Sequence, residues 1–306
     1  MSEGVPFARV ALVGLGLIGS SIARAARAAY PGIALAGFDL DADVRARAAA
    51  LGIVDALPAD IGDAMAGADL VILCVPVGAM AAAAAAIAPH LAAGAIVSDV
   101  GSAKAPVAEA LRAALPGVTL VPAHPIAGTE NSGPEAGFAT LFRGRWCILT
   151  PAADAPGEAT ARVAAFWSGI GAKVEVMDAA RHDLVLAATS HLPHLIAFTM
   201  VGTASHLEAV TEGEVIKYSA GGFRDFTRLA ASDPTMWRDV FLANREGVLE
   251  VLDRFLGDLA GLERAIRAGD GEALFDWFSR TRAIRRAIVY EGQDTAAPDF
   301  GRAPAA

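Results

Sequence analysis

The sequence predicts a doubly wound α/β domain with a mostly parallel sheet, followed by an all-α helical domain. Three observations carry this. From Ala8 to Asp178, short β-branched or apolar runs alternate with longer alanine-rich stretches of helix-forming composition. The short runs are apolar throughout rather than alternating, as strands covered on both faces require. After Asp178 the strand signals stop, and apolar residues recur every three or four positions.

In chain order, strands are expected at 8–14, 33–39, 69–75, 95–100, 118–123, 145–150 and 173–178. Helical stretches such as Leu17–Ala29 and Ala103–Leu115 separate most of them, the pattern of βαβ units. Beyond them, His182–Val210, Pro234–Leu259 and Gly271–Glu291 read as helices, punctuated by glycines at 221–222 and 269–271. The expected division is 1–178 for the sheet domain and 179–293 for the helical domain. A Pro-, Gly- and Ala-containing tail at 294–306 is expected to be disordered. The helical half is too apolar to stand alone, and a symmetric homodimer through it would bury its faces.

Composition narrows the class. The chain has 306 residues, 54% of them hydrophobic, and a formal net charge of −9. That is too apolar for a disordered chain and, without a basic run, unsuited to a nucleic-acid backbone. Cys74 and Cys147 make neither a disulfide framework nor a cysteine metal knuckle, so a reducing, cytoplasmic setting is expected. The opening MSEGVPFARV lacks the positive region of a signal peptide. Leu70–Ser98 and Leu184–Leu207 are uncharged, but prolines and glycines break the first and histidines punctuate the second. Both are read as buried elements of a soluble protein, with no membrane partner.

The sharpest local signal is Gly14-Leu15-Gly16-Leu17-Ile18-Gly19, directly after a strand and opening a helix. In this context it is a Rossmann-type dinucleotide fingerprint. Gly14 allows the tight turn, Gly16 a close approach to a pyrophosphate, and Gly19 the helix–strand packing. Leu17 and Ile18 open the helix whose N-terminus would face the phosphates. Asp39 stands 20 residues after Gly19. A carboxylate there binds ribose hydroxyls and repels a 2′-phosphate, favouring NAD over NADP, although Asp39 could instead cap a helix, with Asp41 competing for that place.

Ligands of open α/β sheets gather beyond the carboxyl ends of the strands. Val75-Pro76, the Ser102 loop in Asp99–Lys104, and His124 in His124–Glu130 all fall there. A histidine so placed can take a hydroxyl proton as hydride leaves the same carbon, with Ser102 at the adjacent strand end; alone, it could equally be an ordinary loop histidine. On an ideal helix, Asp183, Ser190 and His194 fall within about 40° of one stripe. Pro193 should free the carbonyl of Thr189 and kink that helix. His191 and His194 lack a third ligand at recognisable spacing, so no metal is expected, and a structural pair stays open. Arg224 and Arg228, four apart, could share a face and grip a carboxylate, or simply pair with Asp225 or Asp233.

GLGLIGSS, DVGSAK, HPIAGTENSG, SHLPH and GGFRDFTRLAASDPTMW, in this order, closely resemble the prephenate/arogenate (cyclohexadienyl) dehydrogenase family of tyrosine biosynthesis, over residues 7–290. The resemblance implies oxidation by NAD of the hydroxyl-bearing ring carbon of prephenate or arogenate. Ring decarboxylation would then give 4-hydroxyphenylpyruvate or tyrosine. It also implies that His124 hydrogen-bonds the ring hydroxyl and accepts its proton, with Ser102 positioning that hydroxyl and the nicotinamide. Arg228 would hold the ring carboxylate, His194 would line the pocket, and Asp183 would orient either histidine. Glu130 and Trp237 match pocket-lining positions. Neither a fused chorismate mutase nor an appended regulatory domain is expected, so any feedback by tyrosine would act at the active site.

Two other readings compete. A β-hydroxyacid-type dehydrogenase would be expected to carry a catalytic lysine early in the helical half, but 179–216 contain no lysine. A non-catalytic NAD-binding protein would not need His124, Ser102, His194 and Arg228 together.

Overall fold

The computed structural model describes residues 5–129, 131–208 and 220–290. The expected tail at 294–306 lies outside them. By packing, the described residues fall into two compact units, the first ending at Leu249 and the second beginning at Glu250.

The first unit is built on a parallel five-stranded sheet. Its strands are β1 (Arg9–Val13), β2 (Ala34–Phe38), β3 (Leu70–Leu73), β4 (Ile96–Asp99) and β5 (Thr119–Leu120). Their order is β2-β1-β3-β4-β5, with Val10 opposite Leu35 and Leu70 and all pairs parallel. The helices are α1 (Leu17–Ala29), α2 (Ala42–Ala50), α3 (Ile61–Met65), α4 (Met80–Ile87), α5 (Ala105–Ala114) and α6 (Gly157–Gly169).

Both sheet faces are covered, which is why the strands are apolar throughout. Successive side chains point to opposite sides. Val10, Leu12, Leu70 and Ile72 join Ile22 of α1 and Phe166 and Trp167 of α6 in one core. Ala11, Val13, Val71 and Leu73 join Met65 of α3, Met80 of α4 and Leu111 of α5 in the other. With β1 between β2 and β3, the chain turns outward in opposite directions from the ends of β1 and β3. That split is where an open α/β sheet forms its ligand crevice.

The remaining strands form a separate sheet: β6 (Ala123–Pro125), β7 (Trp146–Leu149) and β8 (Lys173–Val176), in the order β6-β7-β8. β6 runs antiparallel to β7, with His124 opposite Ile148, while β7 and β8 are parallel. His124 is therefore held inside a strand, not in a loop following one. Pro125 is tolerated because β6 is an edge.

After β8 come α7 (Ala179–Leu186), a π turn (Ala187–His191) and α8 (Leu192–Glu208), together one long helix. The span 179–207 is long and apolar enough to cross a membrane by length and composition. One side of it carries His182, Asp183, His191 and Ala197, all buried in the protein, while Leu184, Val185, Met200 and Val201 are exposed. Pro193 cannot donate to the turn behind it, and the chain absorbs this with the π turn, in which Leu192 N–H donates to the carbonyl of Ala187. The extra residue rotates everything beyond it, so the ideal-helix stripe of Asp183, Ser190 and His194 does not survive.

α9 (Gly221–Thr227) leads into a short 3₁₀ turn, Arg228–Ala231, and then α10 (Pro234–Ala243). Asp233 caps α10 by accepting from Met236 N at 2.7 Å. The single helix expected at 234–259 breaks at Asn244, and α11 (Arg245–Ala268) begins after it. The buried Asn244 side chain explains the break: it turns inward to polar partners rather than staying on a helix surface.

In the second unit, the last part of α11 joins α12 (Gly271–Tyr290) through Gly269, whose φ of +69° suits glycine. Leu256, Leu259, Ile266, Phe275, Phe278 and Ile284 lie exposed there.

Candidate active site

The glycine loop is locked by its neighbours. Gly14 has φ +98°, and a Cβ on it would sit 2.5 Å from the Cys74 carbonyl oxygen and 3.2 Å from Val75 Cγ1. Thus the chain just past β3, Cys74-Val75, packs against the turn, with Pro76 following it. A Cβ on Gly19 would strike the Gly14 carbonyl at 2.0 Å. A Cβ on Gly16 would meet nothing within 4 Å. Space is open above that residue, and α1 starts there at Leu17-Ile18 with neither a side-chain cap nor an acidic residue in its first turn. Uncapped N–H groups beside open space suit a pyrophosphate.

Asp39 does not cap α2; Asp41 does, accepting from Asp43 N and Val44 N. One oxygen of Asp39 accepts from Leu15 N at 2.8 Å and the other from Asp41 N at 3.0 Å. This carboxylate therefore sits at the end of β2 and ties down the glycine loop.

Beyond β4 and β6 lies a second cluster. His124 is 8% exposed, and burial, reinforced by the neighbouring His182, Lys104 and His191, drives its imidazole well below the usual histidine range. It stays neutral at pH 7 and can act as a base. Its Nδ1 lies 2.8 Å from His182 Nε2, and His182 Nδ1 lies 2.8 Å from Asp183 Oδ1. Asp183 also accepts from Lys104 N at 2.7 Å and Ala105 N at 2.9 Å, at the start of α5. Burial pushes its carboxyl up, but the bonds from His182 and these two amides outweigh that and hold it low. Asp183 thus reaches His124 only through His182. It does not hold His194, whose Nδ1 is 2.9 Å from the Ser190 carbonyl oxygen.

Beneath His124, the fully buried Lys104 ammonium pairs with Asp99 and donates to the Ala123 carbonyl at 2.7 Å. Burial lowers its affinity for the proton and Asp99 opposes that. The pair clamps the β4 end to β6, on either side of the Ser102 loop. Ser102 itself is half-buried, and His191 lies beside its backbone.

The π turn brings the helical residues to this place. His191 is buried, with Nδ1 3.1 Å from Asn244 Nδ2, and its pKa is pushed down to about 4, chiefly by burial. Asn244 Nδ2 also donates to the Asp183 carbonyl at 2.7 Å. His191 lies near enough to His124 and His194 to influence both electrostatically, and Arg228 likewise acts on His194. Burial, with Arg228 adding, lowers the His194 pKa. His194 stacks on Trp237, ring centroids 3.7 Å apart. Arg224 and Arg228 are both exposed.

Ser102, His124, Asp183, His194, Trp237 and Arg228 thus belong to one connected neighbourhood; Glu130 lies outside the described residues. Sequence reasoning missed His182, Asn244 and the Lys104–Asp99 pair. The adjacent His182-Asp183 and the lysine two residues after Ser102 were the available signals; Asn244 left none.

Two family models match the chain: the prephenate dehydrogenase nucleotide-binding domain over residues 22–176, and the prephenate dehydrogenase dimerization domain over residues 178–280. A cyclohexadienyl dehydrogenase of Zymomonas mobilis is 47% identical over 282 residues, 92% of this chain and 96% of that protein. The crystal structure of a prephenate dehydrogenase from A. aeolicus, in complex with hydroxyphenyl propionate and NAD+, superposes with a TM-score of 0.88. It is 34% identical and aligns over 94% of this chain and 100% of its own. An arogenate dehydrogenase of Synechocystis superposes with a TM-score of 0.78 at 26% identity, over 91% of this chain and 99% of its own. The chain belongs to the prephenate dehydrogenase family and is a dehydrogenase of that family.

Proposed function

We propose that the protein oxidises and decarboxylates prephenate to 4-hydroxyphenylpyruvate with NAD, and accepts arogenate, giving tyrosine, at the same site. The observation that carries this reading is His124: a buried, neutral imidazole on β6, a strand clamped to the end of β4 and its Ser102 loop by the Lys104–Asp99 pair, with one ring nitrogen engaged by His182 and the other left for a substrate hydroxyl. The names of the similar proteins, cyclohexadienyl, prephenate and arogenate dehydrogenase, support both substrates.

The residues fit the dinucleotide: open space above Gly16, an uncapped α1 N-terminus, and the Asp39 carboxylate at the β2 end. When bound, NAD supplies a hydride acceptor. His124 Nε2 takes the hydroxyl proton as hydride leaves the same ring carbon, so no full charge builds on the oxygen. Ser102 orients that hydroxyl. Arg228 holds the ring carboxylate that leaves as CO₂, and the stacked His194 and Trp237 fix the ring between the two ends. Asp39 accepts from the ribose hydroxyls and disfavours a 2′-phosphate.

The reading also assigns residues 1–178 to the dinucleotide and 179–293 to substrate and dimerisation. A homodimer through the helical part is supported by the matching dimerization-domain model and by exposed Leu256, Phe275 and Phe278. A cytoplasmic setting completes it, and the free thiols Cys74 and Cys147 fit a reducing compartment. The test is NADH absorbance with prephenate and arogenate, each with NAD and NADP. Turnover of prephenate with NAD is expected; absence of NADH with both substrates would overturn the reading.

A further inference from the structure

We propose that His182 is a positioning residue that holds His124 as its Nδ1–H tautomer, anchored by Asp183. The inference rests on the reading above, in which His124 Nε2 receives the hydroxyl proton.

With His182 neutral, the hydrogen-bond order has one consistent solution. An ionised carboxylate only accepts, so at the 2.8 Å contact with Asp183 Oδ1 the hydrogen sits on His182 Nδ1. A neutral His182 then has a bare Nε2, and at 2.8 Å from His124 Nδ1 it must accept. His124 therefore carries its hydrogen on Nδ1, leaving the Nε2 lone pair as the base. Left to itself, a neutral imidazole would divide its hydrogen between the two nitrogens; this bond removes the form that cannot accept.

The anchor is stiff. Asp183 receives three hydrogen bonds: from His182, from Lys104 N at 2.7 Å and from Ala105 N at 2.9 Å. The two amides lie two and three residues after Ser102 and begin α5, where unpaired N–H groups favour a carboxylate. One carboxylate thus sets both the tautomer of the base and the position of the Ser102 loop. Neither His182 nor Asp183 needs to change protonation. Once His124 is charged, its Nδ1–H still donates to His182, and the positive charge is answered at Asp183 through the intervening ring.

The other groups facing His124 do not replace this bond. They are Lys104 from the start of α5, His191 from the π turn and Cys147 from β7. The Lys104 ammonium is committed to Asp99 and the Ala123 carbonyl, and His191 Nδ1 faces Asn244. Among the described residues, only His182 is recorded in a hydrogen bond with the His124 ring.

The test combines kinetics with two-bond ¹H–¹⁵N NMR of histidine-labelled protein, which reads which ring nitrogen carries hydrogen. In the substrate-free wild type at pH 7.5, His124 is expected to be protonated on Nδ1. His182→Leu should lower kcat for prephenate by about 10²-fold, raise KM by less than about threefold, and shift hydrogen onto His124 Nε2. His182→Gln, whose amide oxygen can still accept from His124 Nδ1–H, should recover about tenfold of the lost kcat. A wild-type His124 protonated on Nε2 would overturn the proposal, whether or not prephenate is the substrate. So would a His182→Leu protein with lowered Tm but undiminished kcat, the signature of a purely structural residue. Should His182→Leu fail to fold, the wild-type spectrum and the Gln variant decide alone.

Discussion

His194 lies flat on the indole of Trp237, ring planes 25° apart and centroids separated by 3.7 Å. Two helices meet here, α8 bringing the imidazole and α10 the indole, so the stack fixes the angle at which His194 enters the cleft. A stacked aromatic pair contributes about 0.5–1.5 kcal/mol beyond the area it buries. Trp237→Leu should therefore raise KM for prephenate by about two- to tenfold, with kcat changed much less. Steady-state kinetics check this, and an unchanged KM would mean that His194 needs no such support.

His124→Asn removes the lone pair that takes the hydroxyl proton while keeping a polar side chain on β6. Loss of an acid–base group lowers kcat by about 10²-fold or more, while KM should hardly move. Near-full turnover by this variant would remove His124 from the chemistry.

Arg228→Ala has the opposite signature. The guanidinium binds a carboxylate already present in the ground state, so its loss should fall mainly on KM. Since Arg228 also helps to lower the His194 pKa, the variant should move the His194 titration upward, visible by NMR. An unchanged KM would assign the ring carboxylate to another residue.

How much of this was legible beforehand depends on how locally each feature is encoded. The five parallel strands were, because each is a short apolar run covered on both faces. So was the glycine fingerprint, whose Gly14 and Gly19 allow no Cβ. In the second sheet β7 and β8 were legible as the runs at 145–150 and 173–178, but β6 was not, since it is three residues long and includes Pro125. The contact of Asp183 with His182 rather than His194 escaped because a helical wheel presumes 3.6 residues per turn, and the π turn at 187–191 adds one. Asn244 gave no warning either: residues 234–268 have helical composition throughout, and only its inward bonds break them. What was hidden is either a local departure from the ideal helical period, as at 187–191, or a buried polar side chain whose partner lies far away in sequence, as Asn244 with Asp183.

Asp39 offers a prediction about the cofactor. Its oxygen Oδ2 holds Leu15 N, so wholesale removal would disturb the glycine loop as well as the ribose contact. Asp39→Asn keeps an acceptor oxygen for Leu15 N, and gives up the bond from Asp41 N together with the charge. The preference for NAD over NADP, measured as a ratio of kcat/KM values, should fall by about tenfold or more, since the like-charge repulsion of a 2′-phosphate is gone. An unaltered ratio would place the discrimination elsewhere.

The buried histidines should make the fold sensitive to mild acid. His191 is held at about 4, and His124 and His194 also lie below their ordinary value of 6.5, each chiefly because burial disfavours the charged ring. An unfolded chain takes up these protons near pH 6.5, whereas the folded protein resists until much lower pH. Stability is therefore complete above pH 6.5 and is lost as the pH falls towards 4. Asp183, whose carboxyl is held low, adds its own loss only below its ordinary value of 3.8. At pH 5, His191 alone accounts for about 2 kcal/mol of this loss. Thermal melts of the wild type and His191→Gln between pH 8 and 4.5 test the assignment. The variant is expected to start from a lower Tm, because its buried site is disturbed, and then to decline less steeply with acid. Parallel curves would show that His191 titrates normally in the folded protein.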